Sequence, residues 1–206
     1  MTAILVIVGP SGSGKTTLAN LLEDHGITKV TTTTTRPMRD GETNGVDYNF
    51  LSKEDFLERV ESGEFIEHAS YNGNYYGCQK SDIEKAVAQA EVSESPAVSI
   101  VMEIEGLLSM RRVLDHENNV RCLFMAPDPK KIADRLKERG MAQDDLDYRL
   151  LSIQKEAGNI SLMRPSDMII GDHTLDELAD IASAISVNPQ HEDLDASHEE
   201  HIVPDH

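Results

Sequence analysis

The sequence predicts an α/β fold in which a parallel β-sheet is covered by helices on both faces. Short apolar runs rich in β-branched residues alternate with longer segments whose apolar residues recur at helical spacing. The run Ile4–Val8 is apolar at every position, which is typical of a strand buried on both sides. A chain of 206 residues is long enough for one such domain with inserted segments.

The strands and helices of this core can be placed in order along the chain. The predicted strands are Ile4–Val8, Lys29–Thr34, Ala97–Ile104, Val120–Met125 and Met168–Gly171. The predicted helices are Lys15–Asp24, Lys53–Ser62, Asp82–Gln89, Pro129–Glu138, Leu146–Ala157 and Leu175–Ile185. Local signals support these ends, since Ser52 can cap the helix that begins at Lys53 and Gly63 can end it.

One stretch interrupts this alternation, and we expect it to form a small mixed α+β lobe. Between Thr31 and Gln79 the chain is rich in Tyr, Asn and Gly and carries short aromatic strands in place of βα units. The candidate strands are Asp47–Phe50, Phe65–Ala69 and Tyr71–Tyr76. The lobe is therefore predicted to be inserted after the second strand of the core.

Composition and charge exclude several classes of protein. A net charge of −18 argues against a general nucleic-acid binder, which needs a basic surface. The apolar runs are too short for a transmembrane helix, and two cysteines, Cys78 and Cys122, suit a reducing cytoplasm. We expect a cytoplasmic monomer or homodimer without nucleic-acid or membrane partners. Residues 188–206 are acidic and lack Lys and Arg, which predicts a disordered tail.

The most specific local motif spans residues 9–17, directly after the first strand. Its letters GPSGSGKTT match the phosphate-binding pattern G-x-x-x-x-G-K-[ST] at every fixed position. The backbone N–H groups of such a loop and the positive end of the following helix bind phosphates. The residues expected to bind ATP are Gly9, Pro10, Ser11, Gly12, Ser13, Gly14, Lys15, Thr16 and Thr17.

Two side chains of this phosphate-binding loop have separate expected roles. Lys15 would reach the β- and γ-phosphates, and the Thr16 hydroxyl would contact the Mg²⁺ that accompanies ATP. The motif therefore predicts a P-loop NTPase core of three layers that binds a nucleoside triphosphate. It does not specify the reaction.

Further motifs make nearly the whole chain resemble guanylate kinase, the enzyme that phosphorylates GMP with ATP. They are RPMRDGE at residues 36–42, GVDYNF at 45–50, FIE at 65–67 and GNYYG at 73–77. The resemblance implies a guanylate kinase-like domain over residues 1–187, with a GMP-binding lobe at about 32–80 and a lid at about 135–150. It also implies transfer of the ATP γ-phosphoryl group to GMP or dGMP, with Mg²⁺ as cofactor.

The resemblance assigns the GMP phosphate to two arginines and two tyrosines. Arg36 and Arg39 would pair with the phosphate dianion, because the planar guanidinium group favours bidentate contacts. Tyr48 and Tyr76 would donate their hydroxyls to the same oxygens. A solvated basic turn is the alternative for the two arginines.

The guanine base would be recognised by Glu67, with Thr32 and Cys78 beside it. A carboxylate accepts hydrogen bonds from guanine N1–H and from the 2-amino group, whereas adenine lacks both donors. A strand glutamate that faces solvent is the alternative. Cys78 stands where the family usually has Ser or Thr, and a thiol is a weaker donor. Either base binding is altered, or the cysteine is simply tolerated.

Acidic and basic side chains would surround the transferred phosphoryl group. Glu103 and Glu105 replace the Asp-Ile-Asp of the family, and their spacing on a strand end would turn both towards the cleft. We leave open which of them contacts metal-bound water and which contacts GMP. The arginines that resemble the catalytic lid are Arg135, Arg139 and Arg149. For Arg139 a solvated helix face is an equal alternative.

Two other functions stay open at this point. Cys78 and the Glu-Ile-Glu segment allow a nucleoside monophosphate kinase of different or broader base specificity. A non-catalytic guanylate kinase-like interaction module would share the fold. The complete phosphate-binding loop favours the enzyme.

Overall fold

The computed structural model describes the chain at residues 2–10, 12–71, 73–114, 119–138, 150, 153–156 and 158–189. Ser11, Arg139, Arg149 and the tail from residue 190 lie outside the described residues, as do most residues of the predicted lid. Most of the helix predicted at Leu146–Ala157 does so too. Of Arg135 only the backbone is described.

The elements alternate along the chain as follows. They are β1 (Ala3–Val8), α1 (Lys15–Asp24), β2 (Thr28–Lys29), β3 (Thr33–Thr34), β4 (Asn49–Phe50), α2 (Lys53–Glu61), β5 (Phe65–Tyr71), β6 (Asn74–Gln79), α3 (Lys80–Val92), β7 (Ala97–Val101), α4 (Ile104–Leu114), β8 (Val120–Met125), α5 (Pro129–Glu138), β9 (Met168–Ile170) and α6 (Leu175–Val187). A short 3-10 helix, Gly158–Leu162, precedes β9. Among the described residues, no helix combines the length and apolar character needed to cross a membrane.

The core is a parallel sheet with helices on both faces, as the alternation predicts. Its described strands run in the order β2-β7-β1-β8-β9. Along β1, Ile4 and Val6 pack with α3 and α4 on one face, while Leu5 and Ile7 pack with α1 and α6 on the other. Because successive side chains of a strand point to opposite faces, an entirely apolar strand is buried between two helical layers.

A second, mixed sheet forms the inserted lobe. Its described strands run in the order β4-β3-β6-β5. β3 and β4 are parallel, whereas β6 is antiparallel to both β3 and β5. Phe56 of α2 is fully buried and stacks on Tyr75 and Phe65 of this sheet. The mixed character predicted for this part of the chain is confirmed.

The predicted strand Lys29–Thr34 is wrong as a single element, because it divides between the two sheets. β2 pairs with β7 of the core, and Val30 N still donates to Ser99 O at 2.8 Å. Thr33 and Thr34 then pair with Gly77 and Tyr76 of β6 in the other sheet. A run of β-formers predicts extended backbone but not which partner strand it joins.

The predicted strand Ala97–Ile104 is too long, and sequence analysis missed the helix that follows it. β7 ends at Val101 and α4 begins at Ile104. Glu103 therefore precedes a helix and Glu105 lies in its first turn, so the strand-spacing argument for these two side chains is wrong. A short apolar run does not separate strand from helix. Ile104, Leu107 and Met110 are apolar residues three positions apart, and this spacing could have predicted the helix. All three are buried in the structure.

A buried ion pair fastens α4 to the segment before β9. A guanidinium N–H of Arg111 donates to Asp167 Oδ1, and the two side chains are 5% and 0% exposed. Cys122 N also donates to Oδ1 at 2.9 Å, and Arg164 N donates to Oδ2 at 2.7 Å. One carboxylate thus joins α4, β8 and the turn that leads into β9.

We expect Asp167→Asn to lower the free energy of unfolding by about 3–5 kcal/mol, because Arg111 would stay buried without its counter-charge. Urea denaturation measures this loss. The matched control is Lys131→Ala, since Lys131 pairs with Asp172 at 3.0 Å on the surface, with side chains 57% and 37% exposed. That variant should lose less than about 1 kcal/mol. Equal losses in the two variants would contradict the buried pair's role.

Candidate active site

The segments that follow β1, β7 and β8 leave the core sheet side by side, at the edge formed by the carboxyl ends of the strands. Ile7 of β1 is in register with Val101 of β7, and Val8 is in register with Phe124 of β8. Met102 N donates to Ile7 O at 3.1 Å, which holds the segment after β7 against the end of β1. The phosphate-binding loop and the segment that contains Glu103 therefore start from neighbouring strands. Ligands of open α/β sheets bind at this edge.

The phosphate-binding loop is packed too closely for side chains at two of its glycines. Gly9 has a φ of +147°, and a Cβ there would lie 2.5 Å from the carbonyl oxygen of Met125 at the end of β8. A Cβ at Gly12 would lie 3.1 Å from Ile132 Cγ2 and 3.3 Å from Leu136 Cδ2 of α5. Helix α5 thus packs on the loop, and this is the helix that carries Arg135.

The polar groups of this loop are arranged around the start of α1. The Lys15 ammonium group donates to the carbonyl oxygens of Gly9 and Pro10, at 3.1 Å for Pro10. Ser13 is fully buried, and within the described residues its hydroxyl has no hydrogen-bond partner. Thr16 and Thr17 are exposed in the first turn of α1. The cation and the helix terminus therefore lie together, which suits an anionic ligand.

The segment after β9 also reaches this loop through His173, a residue that sequence analysis did not single out. His173 Nε2 lies 3.3 Å from the position that a Cβ on Gly14 would occupy. Its other ring nitrogen, Nδ1, is 2.8 Å from the carbonyl oxygen of Gly171. No motif in the sequence marks His173, because its position depends on the order of strands in the sheet.

Arg36, Tyr48 and Tyr76 form a cluster in the inserted lobe, as predicted for the phosphate site. The Arg36 guanidinium carbon is 5.5 Å from the centroid of the Tyr48 ring and 5.7 Å from that of Phe50. The Tyr48 and Tyr76 rings meet edge to face, with centroids 6.4 Å apart. Burial raises the pKa of Tyr48, so its phenol keeps its proton at neutral pH. The cluster offers hydrogen-bond donors and positive charge.

Glu42 holds this cluster in place and was missed as a functional residue. Arg36 pairs with it through two hydrogen bonds, Nη1 to Oε2 at 3.0 Å and Nη2 to Oε1 at 2.7 Å. The backbone N–H of Arg39 also donates to Oε2, at 2.7 Å. These hydrogen bonds, that of Arg36 first, lower the pKa of Glu42. The signal was its place in the motif RPMRDGE.

Glu67 of β5 lies where the inserted lobe packs on α4. Its Cγ is 3.1 Å from the position that a Cβ on Gly106 would occupy. Burial, together with the charges of Glu103 and Glu105, raises the pKa of Glu67 to about 7. Glu103 and Glu105 are themselves exposed. The three carboxylates are therefore close, although the predicted strand spacing is not what brings Glu103 and Glu105 there.

Cys78 and Thr32 occupy different depths of the same lobe. Cys78 is opposite Glu67 in the β5–β6 pairing and is fully buried, with Sγ 3.6 Å from the carbonyl oxygen of Gln79. Thr32 is half-buried and its carbonyl oxygen accepts from Asn49 N at 2.8 Å. The thiol has no exposed surface here, and burial raises its pKa. That Cys78 contacts guanine stays a prediction.

Comparison with known proteins gives a consistent result. The family model described as guanylate kinase matches residues 1–187. A guanylate kinase of Hahella chejuensis is 31% identical over 189 residues, which cover 88% of this chain and 86% of the relative. A guanylate kinase of Clostridium perfringens strain SM101 is 35% identical over 161 residues, covering 77% and 71% respectively.

A solved structure agrees with these sequence relatives. The crystal structure of guanylate kinase from Anaplasma phagocytophilum matches with a TM-score of 0.67 at 28% identity. The match covers 92% of this chain and 86% of that one. Because the family model matches residues 1–187 and the relatives align over most of the chain, the chain belongs to the guanylate kinase family.

Proposed function

We propose that Glu67 recognises the guanine of GMP, that the Arg36–Tyr48–Tyr76 cluster binds its phosphate, and that residues 9–17 hold ATP. As a member of the guanylate kinase family, the protein transfers the γ-phosphoryl group of ATP to GMP, giving ADP and GDP. The observation that carries the assignment of Glu67 is that this half-buried side chain lies between the inserted lobe and α4.

The proposed base recognition follows from hydrogen-bond donors. Ionised Glu67 can accept from both N1–H and the 2-amino group of guanine. Adenine has an acceptor at N1 and no 2-amino group, so it would leave the carboxylate enclosed and unpaired. A hydrogen bond to a charged group contributes about 1.5–3 kcal/mol, which corresponds to roughly 10- to 100-fold in affinity. Thr32 and Cys78 are proposed to support this contact from the neighbouring strands.

The proposed phosphate site is organised before substrate arrives. Glu42 accepts hydrogen bonds from Nη1 and Nη2 of Arg36, and Nη1 of Arg36 also donates to the carbonyl oxygen of Pro37 at 2.8 Å. A guanidinium group has five N–H donors, so Nε–H and one Nη2–H are left for an anion. With the hydroxyls of Tyr48 and Tyr76, and with Arg39 beside them, they can surround a phosphate.

In the proposed transfer step the protein supplies charge and position. Lys15 would exchange the carbonyl oxygens of Gly9 and Pro10 for the oxygens of the β- and γ-phosphates. We propose that Arg135, Arg139 and Arg149 approach the same oxygens and exclude water, because phosphoryl transfer needs stabilisation of equatorial charge. No covalent intermediate with the protein is required.

The donor groups at this edge fit a magnesium ion. The Thr16 hydroxyl is exposed at the start of α1, and the exposed carboxylates of Glu103 and Glu105 follow the neighbouring strand β7. All three provide hard oxygen ligands or partners for coordinated water, which Mg²⁺ prefers. Bound there with ATP, the ion would neutralise phosphate charge.

Two further proposals concern range and location. GMP and dGMP share the guanine base and the phosphate, which are the groups that these residues are proposed to bind, so both should be acceptors. Cys78 and Cys122 are both free thiols and both buried, and burial raises the pKa of Cys122 to about 12. Free cysteines of this kind suit the reducing cytoplasm that we propose as the location.

The first prediction concerns the acceptor nucleotide. With Mg-ATP, the protein should form ADP rapidly with GMP or dGMP and only slowly with AMP or UMP. Glu67→Gln should lower kcat/KM for GMP by about 10- to 100-fold, because an amide offers one acceptor where the carboxylate offers two. A coupled assay of ADP formation measures both effects.

The control for that experiment is Glu64→Gln, the same change at an exposed position on the same lobe. It should leave kcat/KM for GMP unchanged. Equal turnover with all four monophosphates would contradict guanine recognition. No turnover with any of them would favour a non-catalytic interaction module.

The second prediction concerns pH. Because the pKa of Glu67 lies at about 7 and only its ionised form accepts both guanine donors, kcat/KM for GMP should fall as the pH drops through about 7. Above that value it should level off. Initial rates at low GMP between about pH 5.5 and 8.5 give the profile.

The GMP phosphate also gains a proton, near a pKa of about 6. Glu67→Gln separates the two events, since it keeps the phosphate titration and should lose the step at the higher pH. An unchanged profile in this variant would show that another group titrates.

The third prediction concerns Gly106. A Cβ at this position would press on Glu67 Cγ and on Met102 Cβ, each at 3.1 Å, so Gly106→Ala should displace the carboxylate. We expect KM for GMP to rise about fivefold, because small misplacements of a positioned group are costly. The melting temperature should stay level or rise, since alanine favours helix over glycine. Gly158→Ala, where a Cβ meets open space, is the matched control.

A further inference from the structure

A buried carboxylate lies on α3, outside the groups assigned to substrate. Asp82 is 4% exposed and accepts hydrogen bonds from three strands of the inserted lobe. Asn49 Nδ2 of β4 donates to Oδ1 at 3.1 Å. The backbone N–H of Gln79, at the end of β6, and the hydroxyl of Thr33 on β3 donate to Oδ2 at 3.0 and 3.3 Å.

The partners of Asp82 are themselves connected. Gln79 Nε2 donates to Thr33 Oγ1 at 2.8 Å, and Gln79 Oε1 accepts from Arg59 Nη1 of α2 at 3.0 Å. Gln79 and Asp82 also form a capping box at the start of α3. Thr33 is 0% and Gln79 is 3% exposed. We call these five residues, Thr33, Asn49, Arg59, Gln79 and Asp82, the Asp82 network.

Each strand residue of the Asp82 network directly follows a residue assigned to GMP. Thr33 follows Thr32, Asn49 follows Tyr48, and Gln79 follows Cys78. Neighbouring side chains of extended chain point to opposite faces, so the network lies behind the residues that would contact GMP. A slip of one residue in any of these strands would exchange the two faces.

Few backbone pairs join these strands, so side-chain hydrogen bonds form a larger share of the contacts between them. Two residue pairs join β3 to β4, and two join β3 to β6. Each ladder therefore contributes only a few backbone hydrogen bonds to holding the register. A buried carboxylate that collects donors from all three strands favours one arrangement strongly, because any other would leave it enclosed without partners.

We propose that Asp82 is a positioning residue for GMP: it holds β3, β4 and β6 in the register that presents Thr32, Tyr48 and the strand opposite Glu67 to the substrate. This rests on the proposed assignment of those residues to GMP. A purely structural role predicts something different, namely a loss of stability that affects the ATP and GMP sites alike.

The test uses Thr33→Val and Asp82→Asn in the full chain. Valine keeps the shape and the strand propensity of threonine but removes the hydroxyl that joins Asp82 to Gln79. Each variant should raise KM for GMP about tenfold, while KM for ATP and kcat at saturating GMP stay within about twofold. Thr33→Ser, which keeps the hydroxyl, should restore KM for GMP to near the original value.

Val120→Ala controls for lost stability, because Val120 is buried at the start of β8, at the edge of the sheet opposite the phosphate-binding loop. It should lower the melting temperature without a selective change in KM for GMP. An unchanged KM for GMP in Thr33→Val, or equal rises in KM for both nucleotides, would overturn the proposal.

Amide hydrogen exchange keeps this test separate from the proposed function. Thr33→Val should speed exchange of the amides of β3, β4 and β6 while those of β1 and β8 keep their protection. If the original protein did not phosphorylate GMP, the proposed function would fail, and exchange would still report whether the Asp82 network holds the strands. Unchanged exchange in the lobe would overturn the positioning role.

Discussion

The close approach of β5 to α4 is the contact on which the site depends. A Cβ on Gly106 would crowd Glu67 Cγ there, and the half-buried Glu67 lies against the first turn of α4. Since α4 follows β7, and β7 neighbours β1, the same contact brings the inserted lobe to the edge that carries the phosphate-binding loop. The carboxylate proposed to recognise the base and the loop proposed to bind the triphosphate can then serve one reaction.

Charges within the candidate site are held by neighbouring groups of the protein. In a chain with a net charge of −18, two cations assigned to phosphates are held by acceptors, Lys15 by loop carbonyls and Arg36 by Glu42. Phosphates bound at the proposed sites would replace these acceptors as partners of the two cations. Groups fixed in this way favour charge development at a small reorganisation cost. Glu67, Glu103 and Glu105 provide negative charge at the places where the N–H donors of guanine and a cation are expected to bind.

Much of this arrangement was predictable from sequence, and the failures have identifiable causes. Alternation of apolar runs and helical patterns predicted the three layers, and the motif at residues 9–17 predicted a loop between strand and helix. The run Lys29–Thr34 predicted extended backbone correctly but not that it serves two sheets, because partner choice depends on distant strands. Helix α4 was missed because a strand-like run continues into its first residue, Ile104.

The difference between recognisable and unrecognisable residues has a physical basis. Residues proposed to contact substrate need particular chemistry at particular spacing, so Lys15, Arg36 and Glu67 stand within motifs. Residues that hold them need only fit and form hydrogen bonds, and Asp82 looks like an ordinary helix-cap residue in the sequence. Its importance follows from the hydrogen bonds that it accepts from β3, β4 and β6, two of which are strands of only two residues. In this lobe, the residues proposed to bind GMP are therefore held by side chains on the opposite face of the sheet.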